Sequence, residues 1–246
     1  MYRDDIRTQA VELHARGLSV AAIHRQLGVS RAAIAAWLIN PVRAARPVHA
    51  RCFVCRHEAC ADGSTYAYLL GQYLGDGYLV TTARVPKLRI ACADAYPRIA
   101  QEVDHAMTTL SGNRVSITHG VGCSDHASYW MHWPCLLPQH GPGRKHERPI
   151  VLTEWQRAIV DEHPWPLIRG LIHSDGCRVI NRVTVGGKTY AYPRYLFSNE
   201  SRDIQAILTA ALDRVGVAWR NNRPNSVSIA RRGAVGLLDE HVGPKR

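Results

Sequence analysis

The sequence predicts an α+β protein in two parts. A small all-α head comes first, and a larger domain follows that runs through one order of helices and strands twice. Two observations carry this expectation. Glycine and proline cut the first ~40 residues into three short helical stretches. From about residue 66, the order helix–strand–strand–helix–strand–strand–helix occurs twice, and each copy opens on a helix ending small–Asp–Gly.

In the head, Ile6, Ala10, Val11 and Leu13 recur at helical spacing over residues 4–16, and Gly17 ends the stretch. Ser19 is placed to cap a helix over 20–27. Gly28-Val29-Ser30 makes a tight turn, Ser30 caps a third helix over 31–39, and Pro41 blocks its continuation. The head is expected over 1–46. A linker over 47–65, basic at its start, holds Cys52, Cys55, His57 and Cys60. The first copy is expected over about 66–163 and the second over about 164–246. In the first, strands are predicted near 78–81, 87–92, 114–118 and 128–133, with helices over 96–110 and 153–163. In the second, a helix over 165–175 precedes strands near 177–183 and 195–197. A helix from 201 to 216, strands over 217–220 and 226–229 and a helix over 231–242 complete it.

The chain has 246 residues, 46% of them hydrophobic, enough to bury a sizeable core. Its 31 Lys and Arg against 20 Asp and Glu leave a formal net charge of +11, a balance suited to a polyanion. No apolar run approaches the ~20 residues of a membrane span, and no apolar region follows Met1-Tyr2-Arg3 as an export signal would require. A cytoplasmic, nucleoid-associated protein is expected, with nucleic acid as partner and no membrane. The 7 cysteines are odd in number and unevenly spread, which argues for reduced thiols over a disulfide framework.

The segment from Leu18 to Leu38 joins two short helices by a turn at Gly28, with Ile23, Leu27, Val29, Ile34, Trp37 and Leu38 at core positions. It resembles the helix-turn-helix of transposases and bacterial regulators. The resemblance implies that the third helix enters the major groove of duplex DNA, with Ser30, Arg31 and Ala32 at its start and Arg25 before it as contacts.

Two nonamers carry the most information: Leu69-Leu70-Gly71-Gln72-Tyr73-Leu74-Gly75-Asp76-Gly77 and Ile168-Arg169-Gly170-Leu171-Ile172-His173-Ser174-Asp175-Gly176, 99 residues apart. Gly71, Gly75, Gly170 and Ser174 strip bulk from one helix face, so two such faces can pack backbone to backbone. Asp76 and Asp175 then end side by side at electronegative helix C-termini. A divalent cation relieves that conflict and gains hard oxygen ligands. The pair resembles the motifs of single-chain LAGLIDADG homing endonucleases over about residues 66–246. Leu74 and His173 stand where the name-giving motif has its first Asp.

The resemblance implies a pseudo-twofold domain of two αββαββα repeats, acting as a monomer, with two four-stranded sheets laid over the DNA major groove. It implies Asp76 and Asp175 as ligands of Mg²⁺ or Mn²⁺ in phosphodiester cleavage. Lys87, Arg89, Arg144, Lys145, Arg194, Arg231 and Arg232 are the expected basic contacts to DNA. For an active-site base, the sequence offers Arg231, Arg232, Lys87 or Lys188 without choosing. A regulator that binds DNA on the same fold without cutting it is the alternative.

Cys52, Cys55, His57 and Cys60 offer thiolate and imidazole donors suited to tetrahedral Zn²⁺. Four ligands within nine residues would make a strained loop, so Cys123, Cys135 or His126 are alternative partners.

Overall fold

The computed structural model describes residues 4–39, 52–82, 84–243 and 245. The end of the expected head, residues 40–46, and the start of the expected linker, residues 47–51, fall outside them. The chain divides into two compact units, Met1–Arg56 and His57–Arg246.

The first unit holds helices α1 (Asp4–Ala15), α2 (Val20–Leu27), α3 (Arg31–Ile39) and the short α4 (Phe53–Arg56). Ser19 caps α2 by accepting from the Ala22 amide at 3.3 Å, and Gly28 ends it at φ 66°. That left-handed turn is inexpensive only for glycine. Ser30 repeats the cap on α3, accepting from the Ala33 amide at 3.3 Å. Ala10, Ile23, Val29 and Ile34 are fully buried, and Ile6, Leu13, Leu18, Leu27, Trp37 and Leu38 pack around them. One apolar position from each of α1, α2 and α3 and one from the turn therefore close the core.

The second unit opens with α5 (Gly63–Leu74), β1 (Gly77–Val80), β2 (Lys87–Ala93), α6 (Pro97–Ser111), β3 (Ser116–His119), β4 (Cys123–Tyr129) and α7 (Trp133–Leu136). After a 3₁₀ turn at Lys145–Glu147 come α8 (Glu154–Glu162) and α9 (Pro164–Asp175). Then follow β5 (Gly176–Val185), β6 (Lys188–Ser198), α10 (Arg202–Arg214), β7 (Arg220–Arg223), β8 (Ser226–Ile229) and α11 (Arg232–His241). The strands form two four-stranded antiparallel sheets with matching orders, β1-β2-β4-β3 and β5-β6-β8-β7. Helices α5 and α9 pack against each other, with residues 66–74 of α5 all buried.

Each sheet buries one face. Leu88, Ile90 and Cys92 alternate inward along β2 and meet α6, which presents Ile99, Val103 and Met107. Tyr195 and Phe197 do the same on β6, against the α11 helix with Val235 and Leu238. Polar groups taken inside are paired, as burial demands. The Tyr66 hydroxyl accepts from the Gln156 amide at 2.7 Å and donates to the Leu136 carbonyl at 2.7 Å.

Four strands differ most from expectation. The fourth runs over Cys123–Tyr129, because Trp133 turns into α7 and anchors its indole N–H on the Ser128 carbonyl at 3.0 Å. The seventh is Arg220–Arg223. Val217, expected to begin it, is buried and its amide returns to the Leu212 carbonyl at 2.9 Å, closing the helix end instead. The fifth and sixth are far longer than expected, 10 and 11 residues. They join through Gly186-Gly187 at φ 56° and 76°, both in the left-handed region that a two-residue hairpin turn requires.

Candidate active site

The crossing of α5 and α9 sets the geometry of the site. A Cβ on Gly170 would stand 2.3 Å from the Tyr68 carbonyl oxygen and 3.0 Å from the Gly71 Cα. One on Gly71 would meet the Leu167 carbonyl oxygen at 2.7 Å. The two backbones approach so closely that only glycine fits. At the next turn, a Cβ on Gly75 would collide with Ser174 and come within 3.1 Å of the Asp175 carboxyl carbon. The small residues thus bring the helix ends together, and with them Asp76 and Asp175.

Both carboxyls are poised against ionisation. Asp76 opens to solvent on one side, yet the protein atoms crowded around it penalise its charge. The charge of Asp175 adds repulsion, and together they push its pKa up to about 6 although Lys245 and Lys145 oppose the shift. Burial likewise raises Asp175, partly offset by a hydrogen bond from the Asn199 side-chain amide at 2.6 Å. Asn199 is itself fixed, accepting the Ser201 amide at 2.8 Å on its side chain and the Gln205 amide at 2.8 Å on its carbonyl. Two hard oxygen donors that resist holding their charges side by side are a donor set suited to a divalent cation.

Two lysines complete the site. The Lys145 ammonium donates to the last carbonyls of α5, to Leu74 at 3.1 Å, Gly75 at 2.7 Å and also to Tyr73. The Lys245 ammonium donates to the Ser174 carbonyl at 2.9 Å, near the end of α9. Each places a cation where the helix leaves carbonyls unpaired and electronegative. Burial draws the Lys145 pKa down to about 8, while Asp175 and Asp76 pull it back up. Lys245 is lowered by burial, with Asp76 first among the charges that resist.

The sequence offers Lys145 as a basic contact to DNA and does not single out Lys245. The signal was present: Lys145 stands 69 residues after Asp76, and Lys245 stands 70 after Asp175. Lys145, Asp175 and Asn199 line one cleft of about 450 Å³ beside Gly75 and Tyr73.

The remaining expected basic residues scatter over the second unit. Lys87 and Arg89 lie on the β2 face opposite the buried one. Lys87 sits 5.5 Å from the Tyr129 ring centre, and Arg89 pairs with Asp125. Arg194 lies on the outer face of β6, the face shared with Lys188, Tyr190 and Tyr192. Arg144 is exposed beside Lys145, and Arg231 and Arg232 are exposed at the start of α11. In the first unit, Arg25, Ser30, Arg31 and Ala32 are all exposed.

The expected zinc ligands do not share one environment. Cys52 is buried and Cys55 is half-buried. His57 is exposed and holds a positive φ of 56°. The Cys60 thiol is pushed up by burial, with the Asp62 charge adding to the shift and an Asp62 backbone hydrogen bond opposing it.

A family model of a homeodomain-like domain matches residues 1–38. Among curated proteins, none matches the sequence. The two sheets and the paired motif helices are consistent with the LAGLIDADG fold, and solved structures of LAGLIDADG homing endonucleases are similar to this chain. One is I-DmoI in complex with DNA and Ca, 16% identical over 73% of this chain and 89% of that one, TM-score 0.48. Another is the meganuclease I-AabMI bound to uncleaved DNA, 11% identical over 72% and 84%, TM-score 0.46. A variant of I-SmaMI is 8% identical over 73% and 85%, TM-score 0.48. Among the described residues, no helix is long and apolar enough to cross a membrane.

Proposed function

We propose that this protein binds a specific site on duplex DNA and cuts it in a reaction that depends on a divalent metal ion. The observation that carries the reading is the arrangement at the helix crossing. Two acids stand together at the ends of two glycine-packed helices, each with a lysine seated on terminal carbonyls of its helix. The head, with Arg25, Ser30, Arg31 and Ala32 on its surface, supplies a second DNA contact, and a second contact raises affinity through effective concentration.

In this reading Asp76 and Asp175 hold Mg²⁺ or Mn²⁺. When bound, such an ion polarises a phosphoryl oxygen and lowers the pKa of its water. Asn199 keeps the Asp175 carboxylate turned toward its partner. Lys145 and Lys245 hold positive charge beside the scissile phosphate, where negative charge grows as the phosphodiester is attacked. The outer sheet faces, with Lys87 and Arg89 on one and Lys188 and Arg194 on the other, follow the grooves.

A regulator that binds without cutting is the second reading, and the homeodomain-like match at the head favours it. A cleavage selection on randomised duplexes, run in Mg²⁺ or Mn²⁺ beside a binding selection, decides between them. Cleavage should disappear in Asp76→Asn and in Asp175→Asn while binding persists. Lys145→Met should slow cutting by about 10²- to 10³-fold with little loss of binding. Tight specific binding with no cut product in either metal would establish the regulator.

A further inference from the structure

We propose that Cys52, Cys55, His132 and Cys135 bind one zinc ion, independently of any metal at the two aspartates. Two short segments present the same arrangement of soft donors. In Cys52-Phe53-Val54-Cys55, the first cysteine immediately precedes the four-residue helix Phe53–Arg56 and the second is its third residue. In His132-Trp133-Pro134-Cys135, the histidine stands at the N-cap position of the four-residue helix Trp133–Leu136 and the cysteine is its third residue. A donor at the cap and a donor one turn later point the same way, so each segment is half of a tetrahedral site.

The second half is already set to the right span. The Cys135 Sγ lies 3.7 Å from the His132 Nδ1. Tetrahedral zinc, with Zn–S about 2.3 Å and Zn–N about 2.0 Å, separates a sulfur from a nitrogen by ~3.5 Å. The His132 ring is 4% exposed and is steadied edge-on by Trp130, 5.3 Å between ring centres. Cys52 is completely buried.

Two donors leave zinc half-coordinated, and the chemistry asks for a second pair. These four form the group of metal-type donors found among the described residues, three thiolates and an imidazole, a set characteristic of closed structural zinc sites. His57 and Cys60, closer in sequence to Cys52 and Cys55, are not part of it. On binding, each of the three thiols gives its proton to solvent as its S–Zn bond forms, and His132 coordinates as the neutral ring, so no oxidant or reductant is involved. The ion closes a loop between positions 52 and 135, 83 residues apart in sequence. Closing so long a loop restricts the unfolded chain, so the metal stabilises the folded protein.

The test is elemental analysis of the full-length protein, purified without chelator from zinc-supplemented medium, together with Co²⁺ substitution. We expect about one zinc per chain, and tetrahedral thiolate–cobalt absorption bands in the exchanged protein. Cys52→Ser, His132→Ala and Cys135→Ser should each lower zinc content at least several-fold, Cys135→His should recover it, and His57→Ala and Cys60→Ser should leave it unchanged. Wild-type protein without zinc and without the cobalt bands would overturn the proposal. So would full zinc occupancy in His132→Ala or Cys135→Ser, or loss of zinc in Cys60→Ser. Whether the protein cuts DNA does not enter either measurement.

Discussion

At Gly170, one hydrogen atom in place of a methyl group decides whether the site exists. A Cβ there would lie 2.3 Å from a backbone oxygen, and backbone cannot swing aside as a flexible side chain can. Gly170→Ala should therefore cost ~3 kcal/mol, the upper end of overpacking penalties, measured by urea unfolding. The aspartates make an opposite prediction. Burial and the charge of Asp175 push the Asp76 pKa up to about 6 in the fold, against 3.8 for a solvated aspartate, so between those values the folded chain holds more protons than the unfolded one. Its contribution to stability is then lost as pH rises from about 4 to about 6. Asp76→Asn escapes that loss. In metal-free buffer its melting temperature should exceed the wild type's by a margin that widens from pH 4.5 to pH 7. Mg²⁺ should narrow the margin by stabilising only the wild type. An equal margin at both pH values would show that the carboxyl is not strained in the fold.

The paired helices were legible at the level of elements because the same nonamer pattern appears twice, 99 residues apart. Glycine spacing fixed which faces meet. The helix-turn-helix was legible for a similar reason: Ser19, Gly28 and Ser30 act through local capping and turn chemistry, which sequence carries in full. The β5–β6 hairpin was not, because most of its residues are exposed on both faces and leave no alternation of polar and apolar to read. Its mark in the sequence is Gly186-Gly187, a two-glycine turn signal between two runs. The lysines at the helix ends escaped for another reason. Lys145 and Lys245 reach their carbonyls across 70 to 72 residues of sequence, and no local pattern encodes so distant a partner. At this scale, replacing residues 184–189 with a shorter turn should leave the melting temperature nearly unchanged, since the tip buries nothing. The same change should weaken DNA binding if the hairpin lies along the duplex. Unaltered affinity would remove the hairpin from the interface.

Taken whole, a chain of net charge +11 that neutralises several phosphates should lose at least ~10³-fold in DNA affinity between 50 and 200 mM salt. A flat response in a fluorescence titration would refute a phosphate-dominated footprint. Removing residues 1–46 should weaken binding while the remainder still melts cooperatively, because the three-helix core closes on its own residues. The unequal hairpins of the two repeats bear on the target itself. β5 is 10 residues long and β1 is 4, spans of roughly 33 Å and 13 Å at ~3.3 Å per residue. Laid along B-form DNA at ~3.4 Å per base pair, these would cover about ten base pairs on one side of the proposed cleavage point and about four on the other. A mirror-image sequence would waste half of its letters on such a reader. The natural target should therefore be lopsided, with an intolerant long arm and a short arm in which many bases are interchangeable.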